Sequence, residues 1–132
     1  MQHNPGQRIL FVSKTRLSVS LRRKLNARGF AVTLESTGRE AVDQLTRSSF
    51  DIIVFDLVST ANANELIKGI RKVATFRAIP IIVVGDWGTG QVSLALSAGA
   101  DTFAPAPIDA SRLIEAIARL PKKRAAAAGK GH

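Results

Sequence analysis

Short apolar runs alternate with stretches of helical periodicity along most of this chain, and this alternation constrains the fold more than any other feature. The clearest runs are Ile-Ile-Val-Phe at 52–55 and Ile-Ile-Val-Val at 81–84. Continuous apolar runs of this length are typical of strands covered on both faces, and strands that alternate with helices form a mostly parallel sheet. The pattern predicts one α/β domain with strands at residues 9–12, 30–35, 51–57, 81–84 and 102–104.

Capping residues and glycines indicate where the helices begin and end. Thr15 is a suitable N-cap for the first helix, whose leucines recur every four residues, and Gly29 follows its end. Thr37 and Glu40 have the spacing of a capping box, which predicts the start of a second helix. Further helices are predicted around residues 66–73, 92–96 and 111–120.

The composition excludes several classes of function. With 132 residues, 45% of them hydrophobic and 22% charged, the chain has the size and balance of one globular domain. It has no cysteine, and its two histidines, His3 and His132, lie near the ends, so thiolate sites are excluded and imidazole sites lack ligands. No apolar run approaches the roughly 18–20 residues of a membrane span, and residues 1–6 are too polar for a signal peptide. We therefore expect a cytoplasmic protein that binds no membrane.

The net charge of +9 is concentrated at the two ends of the chain. Residues 1–34 contain seven Lys and Arg and no carboxylate, and residues 121–132 add four more bases. Between these ends, ten acids face eight bases. We expect residues 1–7 to be a flexible N-terminus, residues 8–120 to form the domain, and the Ala, Gly and Lys-rich residues 121–132 to be a disordered tail.

Three segments together resemble the receiver domains of response regulators. They are Asp-Ile-Ile-Val-Phe-Asp-Leu at 51–57, Ile-Pro-Ile-Ile-Val-Val at 79–84, and Gly-Ala-Asp-Thr-Phe at 99–103 followed by Pro107. The resemblance covers residues 8–120. It implies a flavodoxin-like, CheY-like, doubly wound fold: five parallel strands in the order 2-1-3-4-5 with helices on both faces.

In that family a histidine kinase supplies a phosphoryl group to an aspartate at the end of the third strand, and Asp56 matches this position. The family also has an acidic pair after the first strand that holds Mg²⁺, a hydroxyl residue after the fourth strand, and a lysine before the fifth-strand proline. Here these positions read Ser13 and Lys14, Gly85, and Ala106. No carboxylate precedes residue 35, so a shifted alignment does not restore the acidic pair.

The sequence thus predicts a pseudo-receiver, in which a vestigial Asp56 is not phosphorylated and no metal, cofactor or catalysis is involved. We expect the Lys14 ammonium either to pair with the Asp56 carboxylate or to extend into solvent. A residually active phosphoacceptor at Asp56 is the first alternative. The Ala106–Pro107 bond matches a family Lys-Pro bond that is commonly cis.

A partner-binding surface is predicted where the first helix and the tail meet. Because the first and fifth helices lie on one face of such a sheet, their bases would form a single positive surface, which is either a solvated face or a docking site for an acidic protein. Nucleic acid is a less favoured partner because only 5% of residues are aromatic. The predicted contact residues are Arg16, Arg22, Arg23, Lys24, Lys122, Lys123 and Arg124, with Trp87 and Phe103 as aromatic candidates.

The two aromatic candidates have alternative interpretations. Trp87 lies in a glycine-rich loop at 85–90 that lacks the spacing of a P-loop, and it is expected either to anchor a partner or to fold over the Asp56 pocket. Phe103 matches the aromatic residue that rotates during family switching, or it packs in the core. We expect a stand-alone signalling protein that acts through protein–protein interaction.

Overall fold

The computed structural model describes residues 7–15 and 19–120 and confirms the alternation of strands and helices. A single 3-10 turn at Trp87–Thr89 precedes the fourth helix. The elements are β1 (Gln7–Val12), α1 (Val19–Ala27), β2 (Phe30–Glu35), α2 (Gly38–Arg47), β3 (Ile52–Asp56), α3 (Ala63–Lys72), β4 (Ile81–Gly85), α4 (Gln91–Ala98), β5 (Thr102–Pro105) and α5 (Ala110–Ala118).

The five strands form one parallel sheet in the order β2-β1-β3-β4-β5, as predicted. β3 lies at the centre, where Val54 is in register with Phe11 on one side and Ile82 on the other. Asp56 is the last residue of β3 and pairs with Val84. The register places Asp56 at the carboxyl edge of the sheet, where parallel strands of this topology bring functional residues together.

Two apolar layers cover the sheet, one on each face. Alternate residues of β1 enter different layers, since Phe11 packs with α1 and α5 whereas Leu10 packs with α2, α3 and α4. This explains why the central strands read as continuous apolar runs rather than alternating ones. Each helix contributes buried residues to its layer, such as Leu25 of α1 and Ile67 of α3.

Several predicted boundaries are corrected or lie outside the described residues. Gln7 belongs to β1, so the predicted flexible N-terminus is one residue too long. Residues 1–6, 16–18 and 121–132 are outside the described part of the chain, and the capping role of Thr15 and the disordered tail therefore stay predictions. Gly29 has a positive φ of 93° after α1, a conformation that favours glycine, as the predicted helix stop requires.

The capping motif of α2 forms, with one change in its partners. The Thr37 hydroxyl accepts a hydrogen bond from the Glu40 N–H at 3.1 Å. The Glu40 carboxylate accepts bonds from the hydroxyl and N–H of Ser36 at 3.0 and 3.3 Å. These bonds from Ser36 hold the pKa of Glu40 below its ordinary value, and the bond from the hydroxyl has the larger effect.

An ion pair fixes the opposite, amino edge of the sheet. Arg71 Nη2 lies 2.9 Å from Asp101 Oδ2, and the side chain of Asp101 is only 2% exposed. The same carboxylate oxygen accepts the Ile81 N–H at 2.8 Å, and Arg71 Nε donates to the Gly99 carbonyl at 2.9 Å. The Gly-Ala-Asp segment therefore ties α3 to the starts of β4 and β5.

Over the described ranges, no helix has both the length and the apolar character that a membrane crossing requires.

Candidate functional site

The carboxyl edge of the sheet brings the predicted site residues together around Asp56. Ser13 and Lys14 directly follow β1, and Gly85 ends β4. The Asp56 side chain is half-buried, and Ser13 is 2% exposed.

Three hydrogen bonds hold the Asp56 carboxylate. Oδ2 accepts from the hydroxyls of Ser13 at 2.8 Å and Ser59 at 3.0 Å. Oδ1 accepts from the Val58 N–H at 3.1 Å. The two hydroxyl oxygens lie 3.2 Å apart, so both serines converge on one carboxylate oxygen.

The backbone fixes the direction of both serine hydroxyls. The Thr15 N–H donates to Ser13 Oγ at 3.0 Å, and the Lys14 N–H donates to Ser59 Oγ at 3.0 Å. Each hydroxyl thus accepts from a backbone N–H and directs its own hydrogen to Asp56. The segment after β1 is thereby joined to the segment after β3.

The predicted ion pair between Lys14 and Asp56 is wrong. Lys14 is exposed, and no ion pair joins these two residues, both of which the structure describes. Hydroxyl and N–H donors already satisfy the carboxylate, and the ammonium keeps its hydration in solvent, which pairing would partly remove. Of the two expectations for Lys14, the exposed one holds.

Ser59 is the site residue that sequence reasoning missed. It lies three residues after Asp56 in a polar loop, and its hydroxyl bonds both to Asp56 and to the backbone after β1. The only sequence signal was a hydroxyl close to an aspartate at a strand end. Such a signal does not reveal the loop conformation that brings Ser59 into contact.

The residues at this edge do not fit the Mg²⁺ that the family resemblance implies. Mg²⁺ prefers oxygen ligands, carboxylates above all, in near-octahedral geometry. Asp56 offers one carboxylate, which already accepts three bonds, and Ser13 directs its hydrogen at it. No group of three Asp, Glu, His or Cys side chains with metal-binding placement occurs in residues 7–15 and 19–120.

Apolar side chains lie close to Gly85, the residue that the resemblance assigns to the switch position. Gly85 is buried, and a Cβ placed on it would lie 3.1 Å from methyl groups of both Leu57 and Val92. A larger residue would fit here only if these side chains moved. At the family's lysine position, Ala106 packs against the α1–α5 layer, and its bond to Pro107 is cis.

The exposed Trp87 contacts the half-buried Phe103 next to this edge. Their ring centroids are 5.2 Å apart with an interplanar angle of 32°. Trp87 is 58% exposed, whereas Phe103 is half-buried and packs against the α2–α4 layer. Trp87 thus packs on Phe103 of β5, and the roles predicted for the two rings stay predictions.

The basic residues of α1 that the structure describes are exposed. They share their helix with no acidic residue, and α1 and α5 lie side by side as predicted, with a groove of about 490 Å³ between them. Lys24 and Arg28 line that groove opposite Ile114 and Glu115.

Arg22 has a structural contact, since its guanidinium donates to the Val32 carbonyl of edge strand β2 at 3.1 Å. Arg23 is also exposed, and Arg16, Lys122, Lys123 and Arg124 lie outside the described residues.

Comparison with known proteins finds relatives among the response regulators, although no family model matches the chain. The response regulator MprA of Mycolicibacterium vanbaalenii is 31% identical over 109 residues, which cover 81% of this chain and 47% of the relative. MprA of Mycobacterium leprae is 30% identical over 115 residues, covering 86% and 50%. The chain thus spans about half the length of these curated relatives.

Solved structures show the same architecture. The signal receiver domain of a response regulator from Bermanella marisrubri is 25% identical, with a TM-score of 0.75 over 87% of this chain and 98% of that one. The chemotaxis response regulator CheY4 of Vibrio cholerae is 22% identical, with a TM-score of 0.73 over 86% and 98%. With the strand order and the position of Asp56, these likenesses show that the described part of the chain is a CheY-like receiver domain related to response regulators.

Proposed function

We propose that this receiver domain signals through protein–protein interaction in the cytoplasm and does not use Mg²⁺-dependent phosphorylation of Asp56. The observation that carries the proposal is the hydrogen bonding of the Asp56 carboxylate to the Ser13 and Ser59 hydroxyls. In this arrangement the former phosphoacceptor has a structural role, because it joins the loops after β1 and β3.

Charge opposes phosphoryl transfer at this site. A carboxylate that attacks a phosphoryl group needs cations to neutralise the charge of both reactants. Two like unit charges about 4 Å apart repel by roughly 4 kcal/mol at an effective dielectric of about 20. Neither Ser13 nor Lys14 supplies a second carboxylate beside Asp56, and Lys14 is exposed to solvent.

The positions that would transmit a phosphorylation signal also support the proposal. Gly85 carries no hydroxyl, and even a Cβ placed on it would lie only 3.1 Å from Leu57 and Val92. Ala106 carries no ammonium and packs in an apolar layer. A phosphoryl group on Asp56 would therefore have neither the hydroxyl nor the lysine that contact it in other receiver domains.

The exposed face of α1 is the proposed docking surface for an acidic protein partner. Arg23, Lys24 and Arg28 are exposed there, and no carboxylate of α1 neutralises them. Opposite charge on a partner would favour association and orient it. Nucleic acid is less well supported, because Phe11 and Phe55 are almost fully buried and cannot stack with bases.

Amide NMR with Mg²⁺ and beryllofluoride tests the phosphorylation part of this proposal. We expect no saturable shifts around Asp56 in the natural chain at millimolar Mg²⁺. The variant Ser13→Asp with Lys14→Asp restores two acids beside Asp56, and we expect it to gain Mg²⁺-dependent shifts. Saturable shifts in the natural chain would favour the alternative, a residually active phosphoacceptor at Asp56.

Charge reversal tests the docking surface. Arg23→Glu with Lys24→Glu should lower capture of acidic proteins from an extract of the source organism, relative to the natural chain. Arg47→Glu with Arg77→Glu is the matched control, since these exposed bases lie on α2 and after α3, on the other face of the sheet. Equal capture by both variants would exclude the α1 face.

Fluorescence anisotropy with duplex DNA at two salt concentrations tests the second alternative. Tight binding that weakens steeply with salt, whatever the DNA sequence, would assign the basic surface to nucleic acid. We expect no such binding at physiological salt.

A further inference from the structure

A second groove lies between α2 and α3, on the face of the sheet opposite α1. Its volume is about 270 Å³, and the side chains that line it are almost all apolar. They include Val42, Leu45, Leu66, Ile70, Val73 and Phe76.

Two valines at this groove remain exposed although they face other apolar side chains. Val42 of α2 is 40% exposed, and Val73 at the end of α3 is 44% exposed. Leu45 and Ile70 form the buried floor between the two helices. These side chains form a concave apolar surface that can accept apolar side chains of a partner.

Gly69 in the middle of α3 is an independent sign that something approaches the groove closely. Glycine destabilises a helix relative to alanine, and α3 needs no glycine at this point. The backbone φ of Gly69 is not positive, and a Cβ placed on it would meet no atom within 4 Å. The space above Gly69 is thus open in the free chain, and the missing side chain lets a partner's backbone come near α3.

Charges beside the groove indicate the chemistry of the partner. Arg39 lies one helical turn before Val42, and Lys72 lies one turn after Gly69. Both are exposed, and neither has an ion-pair partner in the described part of the chain. Glu65, the carboxylate in the lining, already lies 4.0 Å from the Lys68 ammonium.

We propose that the α2–α3 groove binds an amphipathic helix of an acidic partner protein. Apolar residues of that helix, spaced i, i+3 or i+4, and i+7, would contact the valines and the surface above Gly69, while flanking Asp or Glu residues would face Arg39 and Lys72. A ten-residue helix such as α2 or α3 is about 15 Å long, which matches a partner helix with anchors over two turns. A second copy of this chain is disfavoured, because it would bring its own exposed Arg39 and Lys72 to the interface, where like charges repel.

This site is separate from Asp56 and from the α1 face, so it can be tested separately from the proposed function. The probe is a capped 16-residue helical peptide with Leu at the anchor positions and Glu at the flanks. Its controls are a scrambled peptide and one in which Lys replaces Glu. Amide NMR of the full chain should give saturable shifts on α2 and α3, centred on Gly69, with the Glu peptide only.

Substitutions in the groove give the matched comparison. Gly69→Leu places a side chain in the open space and improves helix propensity, so the chain should keep its fold while peptide affinity falls at least tenfold. Val73→Glu should give a similar loss, whereas Leu94→Glu, at a 62% exposed leucine on α4, should leave the affinity unchanged.

Three outcomes would overturn the proposal. The first is absence of shifts on α2 and α3 with the Glu peptide, and the second is equal binding by the Lys peptide. The third is a set of shifts on these helices that depends on protein concentration without any peptide, which would assign the groove to a second copy of the chain.

Discussion

Two serine hydroxyls determine what the Asp56 carboxylate meets at the carboxyl edge of the sheet. Ser13 and Ser59 both donate to the same oxygen, and both accept from backbone N–H groups in return. A buried hydroxyl with two such bonds contributes to stability mainly because its loss leaves donors and acceptors unsatisfied. Asp56 is therefore expected to matter for stability even without phosphoryl chemistry.

Ser13→Ala should lower the free energy of unfolding by about 1–3 kcal/mol, since it leaves the Thr15 N–H without its acceptor and removes one donor from Asp56. Urea unfolding followed by circular dichroism measures this change. Ser97→Ala, at an exposed position of α4, is the control and should stay within about 0.5 kcal/mol of the natural chain. Equal effects of the two substitutions would contradict a structural role for the Ser13–Asp56 bond.

Gly85→Thr should also destabilise the fold, by about 1–3 kcal/mol, because its side chain would collide with Leu57 and Val92. Gly88→Ala is the comparison, since the nearest atom to a Cβ at this exposed position is 3.5 Å away. If the threonine were tolerated as well as the alanine, the apolar packing over Gly85 would not be the obstacle to a switch hydroxyl.

Glu40 gives the structure a contribution that depends on pH. Because the Ser36 hydroxyl and N–H lower its folded-state pKa from the ordinary 4.5, the stabilisation is fully present above that value and is lost as the pH falls through the lowered pKa. A chemical-shift titration of the Glu40 side chain should show a midpoint below 4.5, and Ser36→Ala should raise it. A midpoint at or above the ordinary value would contradict the observed bonding.

At the scale of the elements, charged side chains hold the ends and edges of the sheet. Each edge strand has one carbonyl covered by an arginine, since Arg22 donates to Val32 of β2 and Arg119 donates to Phe103 of β5. Covered edges are less available for pairing with another chain. Helix starts could be predicted where the cap is local, as with Thr37, because that contact spans only three residues.

Arg71→Ala tests the ion pair that ties α3 to the starts of β4 and β5. Removal of the guanidinium leaves the nearly buried Asp101 carboxylate without its counter-ion, and the expected loss of unfolding free energy is about 3–5 kcal/mol. Arg77→Ala, at a neighbouring exposed arginine, should change it by less than about 0.5 kcal/mol. Thermal and urea unfolding both measure this difference, and a loss below 1 kcal/mol for Arg71→Ala would contradict the role.

At the scale of the whole molecule, the fold could be predicted from sequence, whereas the site could be predicted only in part. Strand order follows from alternating apolar runs and from three segments that resemble receivers, because burial on both faces of a sheet leaves a strong pattern. The contact between Ser13 and Asp56 spans 43 residues and depends on how two loops meet. For the same reason the sequence missed Ser59 and suggested a Lys14 ion pair that does not form.

The grooves were also beyond the reach of sequence reasoning. The basic pattern of the first helix predicted a charged surface. The apolar groove, in contrast, lies between α2 and α3, which β3 and two loops separate in the sequence. A single glycine at position 69 gave no signal by itself. Its meaning depends on the open space above it.

The most direct test of the central claim is intact-protein mass spectrometry after incubation of the natural chain with acetyl phosphate and Mg²⁺. The hydrogen-bonded Asp56 and the lack of a Mg²⁺ donor set predict a spectrum with the unmodified mass alone. An acid-stable, base-labile adduct with the mass of one phosphoryl group, absent from the Asp56→Asn variant, would contradict the account.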